Sequence, residues 1–337
     1  MITRVLISVK FFYFKVISMQ EKFKTLFSPL RCNTNPKKRS QGVSGPHKVI
    51  FLLKINPKWY IFYLMSELDF LCGEITRRYG NITRARGPFL YTEKNVRLTD
   101  LFQENGKAIL GWGGNSALTI FKNVLNRGIS GSYDTAFNYR IQKASSDLLG
   151  DQRTVLLFSD KKSALDAALS VCPDKTSIYR PWLQDAQNWS DIECVIISPP
   201  LAWSLDLYIA AFKDTDENRS LISKARDSFH TVRLPAPISA AATRSIYNMI
   251  KALQERSEKD WFIYDKALTS YWERKGPYLY IKTDVVSKER YRDFICHCLD
   301  NSVVINPYYD KASIVPFGAD KGVFSSLVKN PFDGGKK

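Results

Sequence analysis

Residues 154–171, Thr154-Val-Leu-Leu-Phe158-Ser-Asp-Lys-Lys-Ser163-Ala-Leu-Asp-Ala-Ala-Leu-Ser-Val171, decide the fold class. The first five form an apolar run that is short for a helix and stops at a polar turn, whereas from Ser163 the apolar side chains recur at helical spacing. Strand, turn and helix in that order make half of a parallel α/β unit. Downstream, residues 176–179, 194–197 and 207–212 are further short apolar runs, and Ser198-Pro199-Pro200 is the clearest break between them. A long helix follows Pro237 over about residues 238–253, and its small residues Ser239, Ala240, Ala241 and Ala242 permit close packing.

Upstream, residues 66–79 carry Leu68, Phe70, Leu71 and Ile75 on one helical face and stop at Gly80. Residues 87–91 and 96–102 read as a hairpin about Glu93-Lys94-Asn95. Asn115 or Ser116 caps a helix over 117–125, and Ser132 or Asp134 starts another over 136–149. The last part (278–282, 289–299 and 302–306) reads as β-α-β in a small α+β lobe. The division is thus a tail over 1–64, a large domain with its N-terminal segment over 65–255, and the small lobe over 256–337.

With 337 residues, 45% hydrophobic and 24% charged, the chain fills one large domain or two ordinary ones. That composition excludes a disordered, collagen-like or disulfide-scaffold protein. Of the six cysteines, Cys32, Cys72, Cys172, Cys194, Cys296 and Cys298, only the last two are close in sequence, which fits reduced thiols and a cytoplasmic location. The net charge of +16 is unevenly spread, because residues 1–64 hold twelve Lys/Arg against the single acid Glu21. The body keeps only +5, so no nucleic-acid partner is expected from it. In the tail, Lys10, Lys15, Lys54, Pro57 and Lys58 interrupt the apolar runs, which excludes a secretory signal and a membrane span. The tail reads as upstream sequence before a true start at Met65; the alternative is a basic segment that contacts membrane or nucleic acid.

An ordered set of features then runs over residues 66–325: Gly87-x-x-Leu90-Tyr91, the hairpin ending in Asp100, Gly106, Leu110-Gly111, Ser132-Tyr133, Ala164-x-x-Ala167-Ala168-Leu169, Pro237 with its alanines, and Val303-Val-Ile-Asn-Pro307. This order resembles the class III aminotransferases, the glutamate-semialdehyde aminomutase type included, within the fold type I transferases that use pyridoxal phosphate (PLP). The resemblance implies a three-layer α/β large domain, here shortened, with a small C-terminal α+β lobe, and a homodimer. It also implies three chemical requirements: a Schiff-base lysine, an acid on the pyridinium nitrogen, and a phosphate cradle at a helix N-terminus.

Each requirement is altered. The cradle falls on Ser159, Lys161, Lys162 and Ser163, the candidate anion ligands, but the family's glycine is missing and Asp160 adds a like charge. The lysine's place falls on Pro199, which cannot form an imine, leaving Lys213 as the substitute candidate. The pyridinium acid has no counterpart, and a strand with its helices is missing. The expectation is therefore a degenerate, non-catalytic binding or interaction protein without a cofactor. The alternatives are a working PLP aminotransferase or aminomutase on a non-standard lysine, and a membrane- or nucleic-acid-associated protein acting through the tail.

The remaining motifs are structural in this reading. Cys296-His297-Cys298 lies on a helix, where consecutive side chains diverge, so no metal site is expected. His47 and His230 have no nucleophile pattern nearby, and Gly111-Trp-Gly-Gly114 lacks the spacing of a nucleotide loop. Trp203, Tyr208, Phe212, Tyr247, Trp261, Tyr264, Tyr271 and Trp272 are read mostly as core, with a pocket lining or a dimer face as the alternatives.

Overall fold

In a computed structural model, residues 66–113, 116–183 and 188–333 are described. The tail over 1–64, the proposed start at Met65 and Asn115 lie outside them. The strand of the opening stretch is β4, Arg153–Phe158, and its helix is α4, Lys161–Val171, which starts two residues earlier than its apolar spacing because Asp160 caps it. The other apolar runs become β5 (Thr176–Ile178), β6 (Cys194–Ile197) and β7 (Tyr208–Lys213).

These strands form one sheet in the order β4-β7-β6-β5. Only β5 and β6 are parallel; β7 runs antiparallel to both of its neighbours, so the parallel unit expected around β4 is closed by an antiparallel strand. Alternation along β6 explains the layering. Cys194 and Ile196 join Ala164, Ala167 and Ala168 of α4 on one face, while Val195 and Ile197 join Ile141, Ala144, Ala242 and Ile246 on the other. A strand covered on both faces reads as an unbroken apolar run, as β6 does.

The helices on the second face are α3 (Ala136–Leu149) and α6 (Ala236–Glu255), and α2 (Ser116–Leu125) packs along α6. The cap of α3 is Thr135, not Ser132 or Asp134, and its side chain makes no capping bond. Pro237 sits inside the first turn of α6, where its missing N–H costs nothing. Between β7 and α6 the sequence reading missed α5, Asp216–Ser228, whose mostly polar surface leaves only Asn218, Ile222 and Ala225 buried.

The N-terminal segment is α1 (Glu67–Tyr79), capped by a Ser66–Asp69 box and stopped at Gly80, then β1 (Ile82–Arg86), β2 (Phe89–Thr92) and β3 (Arg97–Asp100). Short helices α7 (Lys259–Phe262) and α8 (Asp265–Leu268) lead into a hairpin of β8 (Trp272–Lys275) and β9 (Tyr278–Ile281). Helix α9 (Tyr291–Asp300), β10 (Val303–Val304), β11 (Ser313–Ile314) and α10 (Ser325–Lys329) complete the chain. The expected β-α-β unit does not form within one sheet. Strand β9 pairs with β8 and β11, whereas β10 pairs in parallel with β3 of the N-terminal segment. One apolar core therefore joins Phe70, Leu71, Leu98 and Leu101 to Trp272, Phe294, Val303 and Ile305.

The connection leaving β5 docks on the β8–β9 turn. Trp182 has φ +60 and packs against Trp261 with ring centroids 5.3 Å apart. Its carbonyl oxygen lies 2.7 Å from where a Cβ on Gly276 would stand, and Gly276 itself has φ +54. Gly276→Ala combines a backbone clash with a left-handed residue and is expected to cost about 1–3 kcal/mol, read as a lower melting temperature than wild type.

Candidate functional site

In an open α/β sheet, ligands gather outside the carboxyl ends of the strands. Here that end is well defined. Phe158 of β4 pairs with Tyr208 of β7, Ile197 of β6 with Ile209, and Ile178 of β5 with Ile196. The turn 159–163, Tyr179-Arg180, Ser198-Pro199-Pro200 and Tyr208 consequently share one edge, and most of the residues singled out from the sequence lie on it.

The turn after β4 does not present a free helix N-terminus. The backbone N–H of Ser163 donates to Asp160 Oδ1 at 2.8 Å, and this bond holds the Asp160 carboxyl below its usual pKa. A carboxylate thus stands where an anion bound to the helix would sit. Of the candidate ligands, Ser159, Lys161 and Lys162 are exposed and Ser163 is half-buried. Lys162 turns along the helix to Asp166, at 3.3 Å. Lys161 keeps no carboxylate partner among the described residues; burial, then the charges of Arg180 and Lys311, lower its pKa.

Pro199 lies two residues past the end of β6, after the exposed Ser198, and is buried together with Pro200 and Leu201. Lys213 is placed elsewhere. It ends β7 opposite Arg153, five residues from Tyr208, which is about 17 Å at the usual rise of a strand. Its ammonium donates to the carbonyl of Ser190 at 2.9 Å. The structure therefore brings the 159–163 turn and Pro199 to one end of the sheet and Lys213 to the other.

Sequence reading missed the rest of this edge. Lys107 donates to Asp206 Oδ1 at 2.9 Å, immediately before β7. Beside them Glu104, half-buried, has φ +51 in a run of left-handed residues from Gln103 to Gly106, and burial raises its carboxyl pKa. Three consecutive non-glycine residues in that region are strained and need outside support. Asn306 supplies part of it, donating to Asn105 Oδ1 at 3.1 Å, and Gln103 Nε2 donates to the Asp100 carbonyl at 3.2 Å. No motif announced Arg180, Lys311 or Glu104; the usable signal was only that Arg180 follows an apolar strand.

Among the described residues, no group of three or more His, Cys, Asp or Glu side chains is placed to hold a metal ion. Cys298 is buried in the core, and the ring of the half-buried His297 stacks on Phe294 and meets Phe332 at a tilt. Nor is any helix among them long and apolar enough to cross a membrane.

The fold is that of the fold type I PLP-dependent transferases, with a shortened sheet. Ornithine delta-aminotransferase of Plasmodium falciparum superposes with a TM-score of 0.54 at 11% identity, covering 79% of this chain and 98% of that one. Acetylornithine aminotransferase of Elizabethkingia anophelis gives 0.55 at 9% identity, covering 78% and 97%. At these identities the likeness concerns the fold alone. In sequence, an uncharacterized protein of Treponema pallidum (strain Nichols) is 28% identical over 287 residues, covering 72% of this chain and 91% of that protein. No protein-family profile matches the chain.

Proposed function

We propose that this chain is a degenerate class III aminotransferase-like protein that has lost Schiff-base catalysis and acts as a homodimeric binding or interaction protein in the cytoplasm. The observation that carries the reading is Pro199, buried at the carboxyl end of β6, where the family resemblance asks for the lysine. Proline in a peptide chain has no side-chain amine to condense with an aldehyde.

The neighbouring residues do not fit PLP either. Asp160 occupies the helix N-terminus that a phosphate would use, and the substitute Lys213 is held at the far end of the sheet. An amine about 17 Å along a strand from the phosphate turn cannot bond to a cofactor seated there. No catalytic step through the cofactor is therefore assigned to this chain.

Absorbance spectroscopy tests the reading directly. The 337-residue protein incubated with PLP is expected to show no internal-aldimine band, and borohydride treatment followed by peptide mapping is expected to leave no reduced adduct on a defined lysine. A stoichiometric adduct on one lysine overturns the proposal and identifies the residue that catalyses.

A further inference from the structure

We propose that the cavity along the β5 edge of the central sheet, lined by Arg180 and with Lys161 and Lys311 nearby, is an anion-binding site for a small molecule bearing a phosphate or carboxylate group. Among the described residues strand β5 is paired with β6 on one side only. A cavity of about 320 Å³ lies against this edge, lined by Leu165, Thr176, Ser177, Ile178, Arg180 and Leu183. Leu165, Ile178 and Leu183 give it apolar walls, while the Thr176 hydroxyl already donates to the Cys172 carbonyl at 2.7 Å, which leaves the Arg180 guanidinium as the charged group of the lining.

Arg180 lines the cavity itself, and Lys161 stands close enough to both Arg180 and Lys311 for their charges to act on it, so three separate parts of the chain bring positive charge together. Lys161 stands four residues before Leu165 on α4, hence on the same helical face. Arg180 follows β5, and its guanidinium donates to the phenolic oxygen of Tyr280 on β9 at 3.0 Å. Tyr280 then retains its own proton to donate. Lys311 comes from the loop between β10 and β11, with its ammonium 4.2 Å from the ring centroid of Tyr308. Lys275 adds a fourth positive charge 5.8 Å from the Tyr280 ring centroid, although Glu273 pairs with it at 3.1 Å.

Counter-charges are few. The Asp160 carboxylate is turned onto the Ser163 amide, and none of Arg180, Lys161 and Lys311 has a carboxylate partner among the described residues. Gathering unpaired cations around a cavity is unfavourable until an anion joins them, and charge-assisted hydrogen bonds to Arg and Lys are the strong kind. The depressed Lys161 pKa agrees with this crowding. The cavity is lined from β5, α4, Arg180 and Leu183 and not by Pro199, although Arg180 shares the sheet edge on which Pro199 stands.

The inference deepens the binding reading above, and the two fail separately: an adduct on a lysine sinks the non-catalytic reading without touching the anion site. The full chain is titrated by calorimetry at low salt with inorganic phosphate and, separately, with succinate. Saturable binding of at least one is expected, the tighter of the two naming the chemistry. Arg180→Gln and Lys311→Gln are each expected to weaken it about tenfold or more. Lys251→Gln, an exposed residue paired with Glu255, is expected to leave binding unchanged and so controls for general charge. Absence of saturable binding for both anions overturns the proposal. So does binding that survives Arg180→Gln and Lys311→Gln, or that Lys251→Gln weakens equally.

Discussion

Arg153→Ala is expected to lower the unfolding free energy by about 3–5 kcal/mol, measured by urea denaturation. The Arg153 side chain is wholly inaccessible to solvent. Its guanidinium forks onto Asp151, with Nε to Oδ1 at 2.6 Å and Nη2 to Oδ2 at 2.8 Å. The same group donates to the carbonyls of Trp189 and Ile192, each at 2.7 Å, and of Glu193 at 3.2 Å. One side chain thus ties the start of β4 to the loop that enters β6. Alanine leaves those carbonyls without donors and strands the half-buried Asp151 charge, and orphaned buried groups cost more than the bonds contribute. Arg153→Lys keeps the charge but not the planar fork, so it should recover only part of the loss. A loss below about 1 kcal/mol for the alanine variant would mean that water or a rearranged loop replaces the guanidinium. Lys213 lies opposite Arg153 across the β4–β7 pair and bonds to Ser190 in the same loop. Both cations therefore stabilise the end of the sheet away from the candidate site, and Arg153 variants that remain folded should still bind the anion probe.

The strands and long helices were legible because each buries a face whose period shows in the sequence. Strand β6 is covered on both sides and α6 buries Ala240, Ala241, Ile246 and Met249 along one stripe. Helix α5 escaped because it buries so little, and β1 because its Ile-Thr-Arg-Ala-Arg stretch is mostly exposed and offers no alternation. The pairing of β10 with β3 joins residues some 200 positions apart, which local patterning cannot reveal. At the candidate site, Pro199 and Asp160 were readable because each replaces a residue type that the resemblance demands. Arg180, Lys161 and Lys311 come from a strand end, a helix start and a late loop that only the fold brings within reach of one another's charge, with Arg180 tied to Tyr280 of β9. Lys213 illustrates the opposite limit. A lysine at the end of a strand looks equally suitable in either strand direction, and only the antiparallel course of β7 places it at the wrong end of the sheet for the phosphate turn.

Between pH 4 and pH 7 the stability of wild type relative to Asp100→Asn is expected to fall by about 2 kcal/mol, with Asp100 as the cause. Asp100 ends β3 and is 1% exposed. Burial without a cation raises its pKa to about 6, even though the Gln103 and Phe102 amides and the Trp112 indole donate to its carboxyl group. The folded state therefore binds a proton that the unfolded chain releases near pH 4. By linkage, this contribution to stability is fully present below the unfolded pKa and is lost as pH rises through about 6. Asp100→Asn abolishes the titration. It also turns an amide donor toward Trp112 Nε1, so the variant loses that 2.7 Å bond at every pH while its dependence in this window disappears. Trp112→Phe acts differently: it removes a donor that favours the charged form, so the Asp100 step should persist and move to higher pH. Urea denaturation of the three proteins at pH 4, 5, 6 and 7 separates the effects, because titrations common to all of them cancel in the differences. A wild-type minus Asp100→Asn difference that stays flat across the range would show that the Asp100 carboxylate remains ionised in the folded protein. In that case the two amides and the indole outweigh burial, and the strained turn after β3 rests on a charged anchor rather than on a protonated one.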